Sequence, residues 1–231
     1  MIIQDNAIFI ADAHYNHKRT QFHKILLMLQ KETLSFSQLF LMGDMFDFLS
    51  EEISYFKIIN NKIITLINTL SLTHEIIYLE GNHDYNLSKI FPNVNIIPRK
   101  QQPLLIGDGC EKKIALAHGD IFTPKLYNLY TSIIRNHRFM QCINFLDFNN
   151  FLSKYVEKKL LSKSICHKQK DFSNFVKKRI VQYDDTTKTD LIIEGHFHQG
   201  YQEDRYINIP SLACDNRYMI YKNNQFSFNT L

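Results

Sequence analysis

Short apolar runs alternate with longer amphipathic stretches through the first half of the chain. "AIFIAD" (7–12) is apolar without a break and ends on an aspartate, which predicts a strand buried on both faces. "KRTQFHKILLMLQK" (18–31) spaces its apolar residues by three and four and predicts an amphipathic helix. "QLFLMGD" (38–44) predicts a second strand. A helix follows over residues 51–70, with Ile59, Ile63, Leu66 and Leu70 on one face. "EIIYLEGNHD" (75–84) predicts a third strand running into a loop, and shorter strands are expected at 94–97, 104–106 and 114–118. Strand–helix–strand alternation of this kind defines an α/β fold.

The pattern changes after residue 120. Leu126, Leu129, Tyr130, Ile133 and Ile134 share one helical face, and Phe145, Phe148, Leu152, Tyr155 and Val156 share another. Glycine is absent from 120–194. The expectation is a helical lid over residues 121–185, inserted in a single domain that spans 1–231. Beyond "DLIIEGHFH" the tail predicts short antiparallel strands, with turns at Asn216 and at Asn223 and Asn224.

Composition adds compartment and charge. The 231 residues are 45% hydrophobic and 22% charged, as expected of a folded soluble chain long enough for one sizeable core. Gln4 and Asp5 interrupt the start, so no secretory signal is expected, and no apolar run approaches the roughly 18–20 residues of a membrane span. Cys110, Cys142, Cys166 and Cys214 are scattered with no CxxC pair, which predicts reduced thiols in a cytoplasmic protein. The net charge of +4 is uneven: residues 121–190 hold thirteen Lys/Arg against six Asp/Glu. The remainder is therefore acidic, and the chemistry that needs carboxylates belongs there.

Five polar segments follow apolar strands: "DAH" (12–14), "GDMFD" (43–47), "GNHD" (81–84), "HGD" (118–120) and "GHFH" (195–198). Taken singly they carry little, since solvated loop residues match a DxH and paired histidines are often satisfied core side chains. Together they line up at strand carboxyl ends, where α/β sheets carry their sites. Four of the seven glycines, Gly43, Gly81, Gly119 and Gly195, stand in these segments. Asp, imidazole and an amide oxygen suit Mn²⁺, Fe²⁺ or Zn²⁺ better than Ca²⁺. Seven such donors are too many for one four-coordinate ion and fit two ions sharing a carboxylate, about 3.5–4 Å apart.

In this order the five motifs resemble the calcineurin-like metallophosphoesterase superfamily. The resemblance covers residues 7 to 220 and implies a four-layer α/β/β/α sandwich with a dinuclear centre at one end. It implies that Asp12, His14 and His198 bind the first divalent ion, that Asn82, His118 and His196 bind the second, and that Asp44 bridges them, with Mn²⁺ the expected metal and Fe²⁺ or Zn²⁺ alternatives. His83 would be the catalytic group beside the scissile phosphate, stabilising charge or protonating the leaving oxygen. Asn82, His83 and His196 would also touch substrate, while Asp47 and Asp84 would orient ligands from behind.

In layout the chain is most similar to the UDP-2,3-diacylglucosamine pyrophosphohydrolases of lipid A biosynthesis. These share a GD[LM]F[DE] motif, matched by "GDMFD", and a basic aromatic lid before the final GHxH. That likeness implies cleavage of UDP-2,3-diacylglucosamine to UMP and 2,3-diacylglucosamine 1-phosphate, with a bridging hydroxide attacking phosphorus in line. Ser162, Lys168 and Lys170 of the lid are expected near the uridine or pyrophosphate. Arg135, Arg138, Lys154, Lys158, Lys159 and the stretch "SKSICHKQK" (162–170) are expected to face the anionic cytoplasmic surface of the inner membrane, giving a peripheral location, unless these are ordinary amphipathic helices with solvated outer faces. No stable protein partner is indicated. Two other functions stay open: a soluble phosphodiesterase or phosphatase on nucleotides or nucleic-acid ends, whose phosphates attract the same basic faces, and a catalytically silent scaffold.

Overall fold

A computed structural model describes residues 1–109 and 111–231. In chain order the first half contains β1 (Ala7–Ile10), α1 (Gln21–Gln30), β2 (Gln38–Leu41), β3 (Leu49–Ser50), α2 (Ser54–Ile59), α3 (Asn61–Leu70), β4 (Glu75–Leu79), β5 (Asp84–Tyr85), β6 (Asn95–Ile97), β7 (Leu104–Gly107) and β8 (Lys113–Ala117). Helices α4 (Lys125–Ile134), α5 (His137–Leu146), α6 (Phe151–Ser162) and α7 (Phe172–Asp184) then intervene before β9 (Leu191–Glu194). The tail comprises β10 (Tyr201–Glu203), β11 (Tyr206–Asn208), α8 (Leu212–Asp215), β12 (Arg217–Lys222) and β13 (Gln225–Thr230).

Two sheets face one another, one ordered β13-β12-β1-β2-β4-β6 and the other β10-β11-β9-β8-β7. Strands β1, β2, β4 and β6 run parallel, as do β8, β9 and β11. Strand alternation decides which residues fill which layer. Phe9, Phe40, Ile77 and Leu79 point between the sheets, where they meet Leu116, Ile193 and Ile207 from the other sheet. The Phe9 and Phe40 rings stack there at 4.4 Å. Ile8, Ile10, Leu39, Leu41, Ile76 and Tyr78 point outward against Phe22, Ile25 and Leu29 of α1 and Ile63, Leu66 and Ile67 of α3. Ala115, Ala117, Ile192 and Tyr206 cover the opposite outer face against Phe172, Val176 and Tyr183 of α7. The layers are therefore helix, sheet, sheet and helix, as the motifs imply. Each buried large apolar side chain contributes about 1.5–3 kcal/mol.

The sequence expectations hold for most strands and fail at particular places, and β11 of the tail, expected to be antiparallel, pairs parallel with β9. The helix expected over residues 51–70 is two helices, because Asn60 (φ −98°, ψ 4°) breaks the run and donates its side-chain amide to the Phe48 carbonyl. Ile63, Leu66 and Leu70 are buried, whereas Ile59 is exposed. Asn223 and Asn224 both take left-handed backbone and turn β12 into β13, as expected. Asn216, also left-handed, instead terminates α8.

The cysteine expectation needs correction. Cys166 and Cys214, 48 residues apart, form a disulfide. No local spacing announces this pair, because the chain after α6 must first fold against α8. Cys142 is free and exposed, and Cys110 lies outside the described residues.

Candidate metal centre

All five predicted segments leave parallel strands at their carboxyl ends and meet at one end of the sandwich. Asp12 and His14 follow β1, Asp44 follows β2, Asn82 and His83 follow β4, His118 follows β8, and His196 and His198 follow β9. The turns are tight. Asp12, His14, Asp44, His196 and His198 all have positive φ, between 40° and 65°, a region that L-residues enter at a cost and that recurs at functional sites. Gly43 (φ +89°) and Gly81 allow the closest approaches: a Cβ on Gly43 would overlap the His118 ring, and one on Gly81 would overlap the Asp44 carboxylate.

The donors fall into groups that overlap through His14 and Asp44. Asp12, His14 and His198 bring ligand atoms within 4.8 Å of one another, and so do Asp44, His118 and His196. His14 and His83 also group with Asp44. His198 Nε2 lies 3.3 Å from Asp12 Oδ1, and His118 Nε2 lies 3.5 Å from Asp44 Oδ2. His196 Nδ1 and Asn82 Oδ1 approach that same His118 nitrogen to 3.2 and 3.3 Å. Asp12 Oδ1 is buried with no hydrogen-bond donor. A buried carboxylate oxygen without a donor, ringed by imidazole nitrogens, is a site whose chemistry fits a borderline divalent cation.

Electrostatics agree. Burial would raise Asp12 and Asp44, but His198 beside Asp12 and His118 beside Asp44 hold both carboxyls below their ordinary range. Burial would lower His118, but the Asp44 carboxylate holds it up at about 10. Burial dominates at His14, pushing it to about 3 and keeping it neutral. His196 is lowered by burial and by neighbouring His118. His198 is raised, with burial opposed by Asp12.

A surrounding layer fixes these ligands. Asp84 accepts from Asp44 N and Gly81 N at 2.9 Å and from the Tyr78 hydroxyl at 2.6 Å. Asp47 accepts from Asn16 Nδ2 and Arg19 Nη2, both at 2.6 Å. Both aspartates thus hold together the loops that carry the candidate ligands. His83 donates Nδ1–H to the Asp47 carbonyl (2.6 Å), and His118 donates Nδ1–H to the Met42 carbonyl (2.9 Å). Such outer bonds select the tautomer whose Nε2 faces inward. Asn208 donates to the Glu194 and Gly195 carbonyls and accepts from Gln199 N, stiffening the GHFH loop.

The lid-segment candidates stand differently. Lys168 reaches the loop itself, donating to the His198 and Gln199 carbonyls and pairing with Asp215. Ser162, at the end of α6, donates to the Lys159 carbonyl, and Lys170 is exposed. Arg135 is no surface cation: its guanidinium pairs with Glu80 at 3.1 Å and donates to the Gly81 carbonyl at 2.7 Å, beside Asn82. Sequence reasoning also missed Asn16, Arg19, Tyr78, Arg179 and Asn208. None lies in a motif, and all but Tyr78, which bonds Asp84 six residues on, act between separate segments.

Beside Asn82 and His83 opens a cavity of about 470 Å³. Its walls are mainly apolar, with Phe48 and Phe56 from the core and Tyr130, Ile134, Met140 and Val156 from the intervening helices, and with Ser153 and Lys163 among its polar members.

Strand-end loops of this composition around a shared aspartate define a metallophosphoesterase, and the chain belongs to the calcineurin-like phosphoesterase family, whose profile matches residues 6–200. Its divalent metals and its hydrolysis of phosphoric esters follow from that membership. Among curated proteins the chain is similar to the UDP-2,3-diacylglucosamine hydrolase of Psychromonas ingrahamii (strain DSM 17664 / CCUG 51855 / 37), at 25% identity over 83% of this chain and 80% of that protein. A second relative, the UDP-2,3-diacylglucosamine hydrolase of Histophilus somni (strain 129Pt), is 24% identical over 83% of both chains.

Proposed function

We propose that this protein hydrolyses the pyrophosphate of a nucleotide-linked lipid, with UDP-2,3-diacylglucosamine as substrate and UMP and 2,3-diacylglucosamine 1-phosphate as products. The observation that carries this reading is the apolar cavity opening directly beside Asn82 and His83. A water-soluble phosphodiester has no use for such a wall next to the reacting phosphate, whereas an acyl chain does. The names of the two relatives agree with it.

In this reading Asp12, His14 and His198 hold one ion, Asn82, His118 and His196 hold the other, and Asp44 spans both. The ions, Mn²⁺ first and Fe²⁺ or Zn²⁺ as alternatives, would supply Lewis acidity and an activated water. His83, anchored through Nδ1 to the Asp47 carbonyl, presents its other nitrogen to the phosphate and neutralises charge or gives a proton to the leaving oxygen. The helices between β8 and β9 act as a lid, residues 121–185 within one domain, and Arg135 ties that lid to the Gly81 carbonyl.

Leu126, Phe145, Phe148 and Phe151 are each more than 75% exposed. Together with Arg138, Lys154 and Lys158 they suit a peripheral seat on the anionic inner-membrane surface. Among the described residues no helix is long and apolar enough to cross a membrane.

The test is hydrolysis of UDP-2,3-diacylglucosamine in detergent with Mn²⁺, with products resolved by mass spectrometry and Asp44→Ala as control. UMP and the lipid sugar 1-phosphate, lost in the variant, support the reading. Brisk cleavage of a generic phosphodiester with no turnover of the lipid would keep the metal centre and discard the lipid.

A further inference from the structure

Residues 163–170, between α6 and α7, form a strap without regular structure along the loop that carries His198, with His167 N turned back onto the Ile165 carbonyl at 3.1 Å. Three kinds of contact fix it there. Ile165 accepts a hydrogen bond from His198 Nδ1 at 2.9 Å, leaving Nε2 facing Asp12. Lys168 donates to the His198 and Gln199 carbonyls, and Gln169 N donates to the Gln199 side chain at 3.1 Å. Cys166, adjacent to Ile165, is bonded to Cys214, whose Sγ lies 3.7 Å from His198 Nδ1.

This arrangement differs from that of the other candidate ligands. His118 is oriented by Met42, on the strand-end loop that carries Asp44. His198 is oriented by a carbonyl on a segment with no regular structure, lying between two helices of the proposed lid. What holds that carbonyl in place is a handful of surface hydrogen bonds and one covalent bond.

We propose that the Ile165 carbonyl is the positioning group for His198, and that the Cys166–Cys214 disulfide is its thiol-cleavable lock. The inference rests on His198 being a metal ligand, as read above. Oxidised protein holds the first ion tightly; reduced protein holds it loosely while the second ion is unaffected.

The chemistry is thiol–disulfide exchange with a dithiol of the thioredoxin class. A dithiol thiolate attacks the exposed Cys166 sulfur, the S–S bond breaks, and Cys214 leaves and takes up a proton. The second thiol of the dithiol then displaces Cys166, which is protonated in turn. Two electrons and two protons pass to the protein, and the dithiol ends as a cyclic disulfide. With the lock open, the Cys214 thiol beside His198 Nδ1 competes with the Ile165 carbonyl for that nitrogen. Where dithiols keep most thiols reduced, a disulfide that does form is characteristically regulatory or catalytic.

Loss of the outer partner of a ligating histidine weakens metal binding by about 10–100-fold. The experiment titrates Mn²⁺ into the full metal-free chain, followed by calorimetry and electron paramagnetic resonance, before and after dithiol treatment. Cys166→Ser serves as the permanently unlocked form and His198→Ala as the ligand control. The expected result is one site of two weakened by about 10–100-fold on reduction and restored on reoxidation. Cys166→Ser should match the reduced protein under both conditions while still unfolding cooperatively. Equal affinity of oxidised and reduced protein at both sites overturns the proposal, as does a thiol titration that finds no Cys166–Cys214 bond after mild oxidation. If His198→Ala binds two ions like the parent, the assignment of His198 as a ligand fails, and the lock fails with it.

Discussion

Arg179 and Glu194 form a forked ion pair inside the protein, with Nη2 2.7 Å from Oε1 and Nε 3.0 Å from Oε2. Both side chains are almost fully buried. The hydroxyls of Tyr183 and Tyr206 also donate to this carboxylate, each at 2.7 Å. The same guanidinium donates to the Gly119 and Ile121 carbonyls at 2.7 and 2.8 Å. One side chain of α7 therefore binds the loop after His118 to the strand that leads into His196.

Removing one partner of this pair strands a charge in a dry place. Arg179→Met is expected to destabilise the fold by about 3–5 kcal/mol, because Glu194 loses its counter-charge. Chemical denaturation measures the loss. Adding Glu194→Met should recover much of it, since the buried carboxylate then no longer needs a partner.

Metal binding should expel protons. His118 is held up at about 10 by the Asp44 carboxylate, so it is a cation in metal-free protein at neutral pH, and His198 is shifted in the same direction by Asp12. A folded-state pKa above the ordinary 6.5 means that the His118 contribution to metal-free stability is complete below pH 6.5 and is lost as pH rises through about 10. A metal needs the neutral ring, so affinity should climb over that same window. Calorimetric titration in buffers of different ionisation enthalpy should show proton release at pH 7 that shrinks toward pH 10. Release that does not vary with pH would contradict the His118 environment.

Asp84 accepts five donors around the Asp44 and Gly81 turns, counting Met45 N at 2.5 Å and Phe46 N at 3.4 Å. Asp84→Asn keeps the shape but replaces one acceptor oxygen with a donor, so it sets an N–H against an N–H or O–H. The expected outcome is a loss of turnover of about 10–100-fold, from misplaced ligands, with destabilisation of about 1–3 kcal/mol. Steady-state assay of a small phosphodiester and thermal unfolding separate the two effects.

The apolar cavity predicts selectivity. Val156→Trp would fill the space beside His83 that an acyl chain would occupy. The KM for a lipid-linked pyrophosphate should rise about tenfold or more, while a small phosphodiester should be turned over at the parental rate. A parallel loss on both substrates would mean that the cavity wall supports the metal centre instead of the substrate.

The sandwich was legible where one physical period governs one strand. In β1, Phe9 and Ile8 alternate between the two core layers as a pleated strand requires. The loops carrying the candidate ligands were legible because each couples an apolar run to a polar donor, four of them through a glycine. Asn60 gave no comparable warning: its break of the 51–70 helix depends on the Phe48 carbonyl, which is not in place until the chain has folded. Arg179, in a helix, and Glu194, in a strand, look like a surface cation and a strand-end acid. Their partnership exists only across α7 and β9, and the Cys166–Cys214 bond likewise depends on a crossing of distant segments.

The candidate ligand groups draw on both halves of the sandwich. Asp12, His14, Asp44 and Asn82 hang from one sheet, and His118, His196 and His198 from the other. The end of the molecule proposed to do chemistry is therefore also its seam, and occupancy there would rivet the halves together. A chain built this way is limited in how its halves can drift apart. A residue inserted between β4 and Asn82 shifts a donor against partners anchored in the opposing sheet, so growth is tolerated where no rivet passes, as in the stretch between β8 and β9.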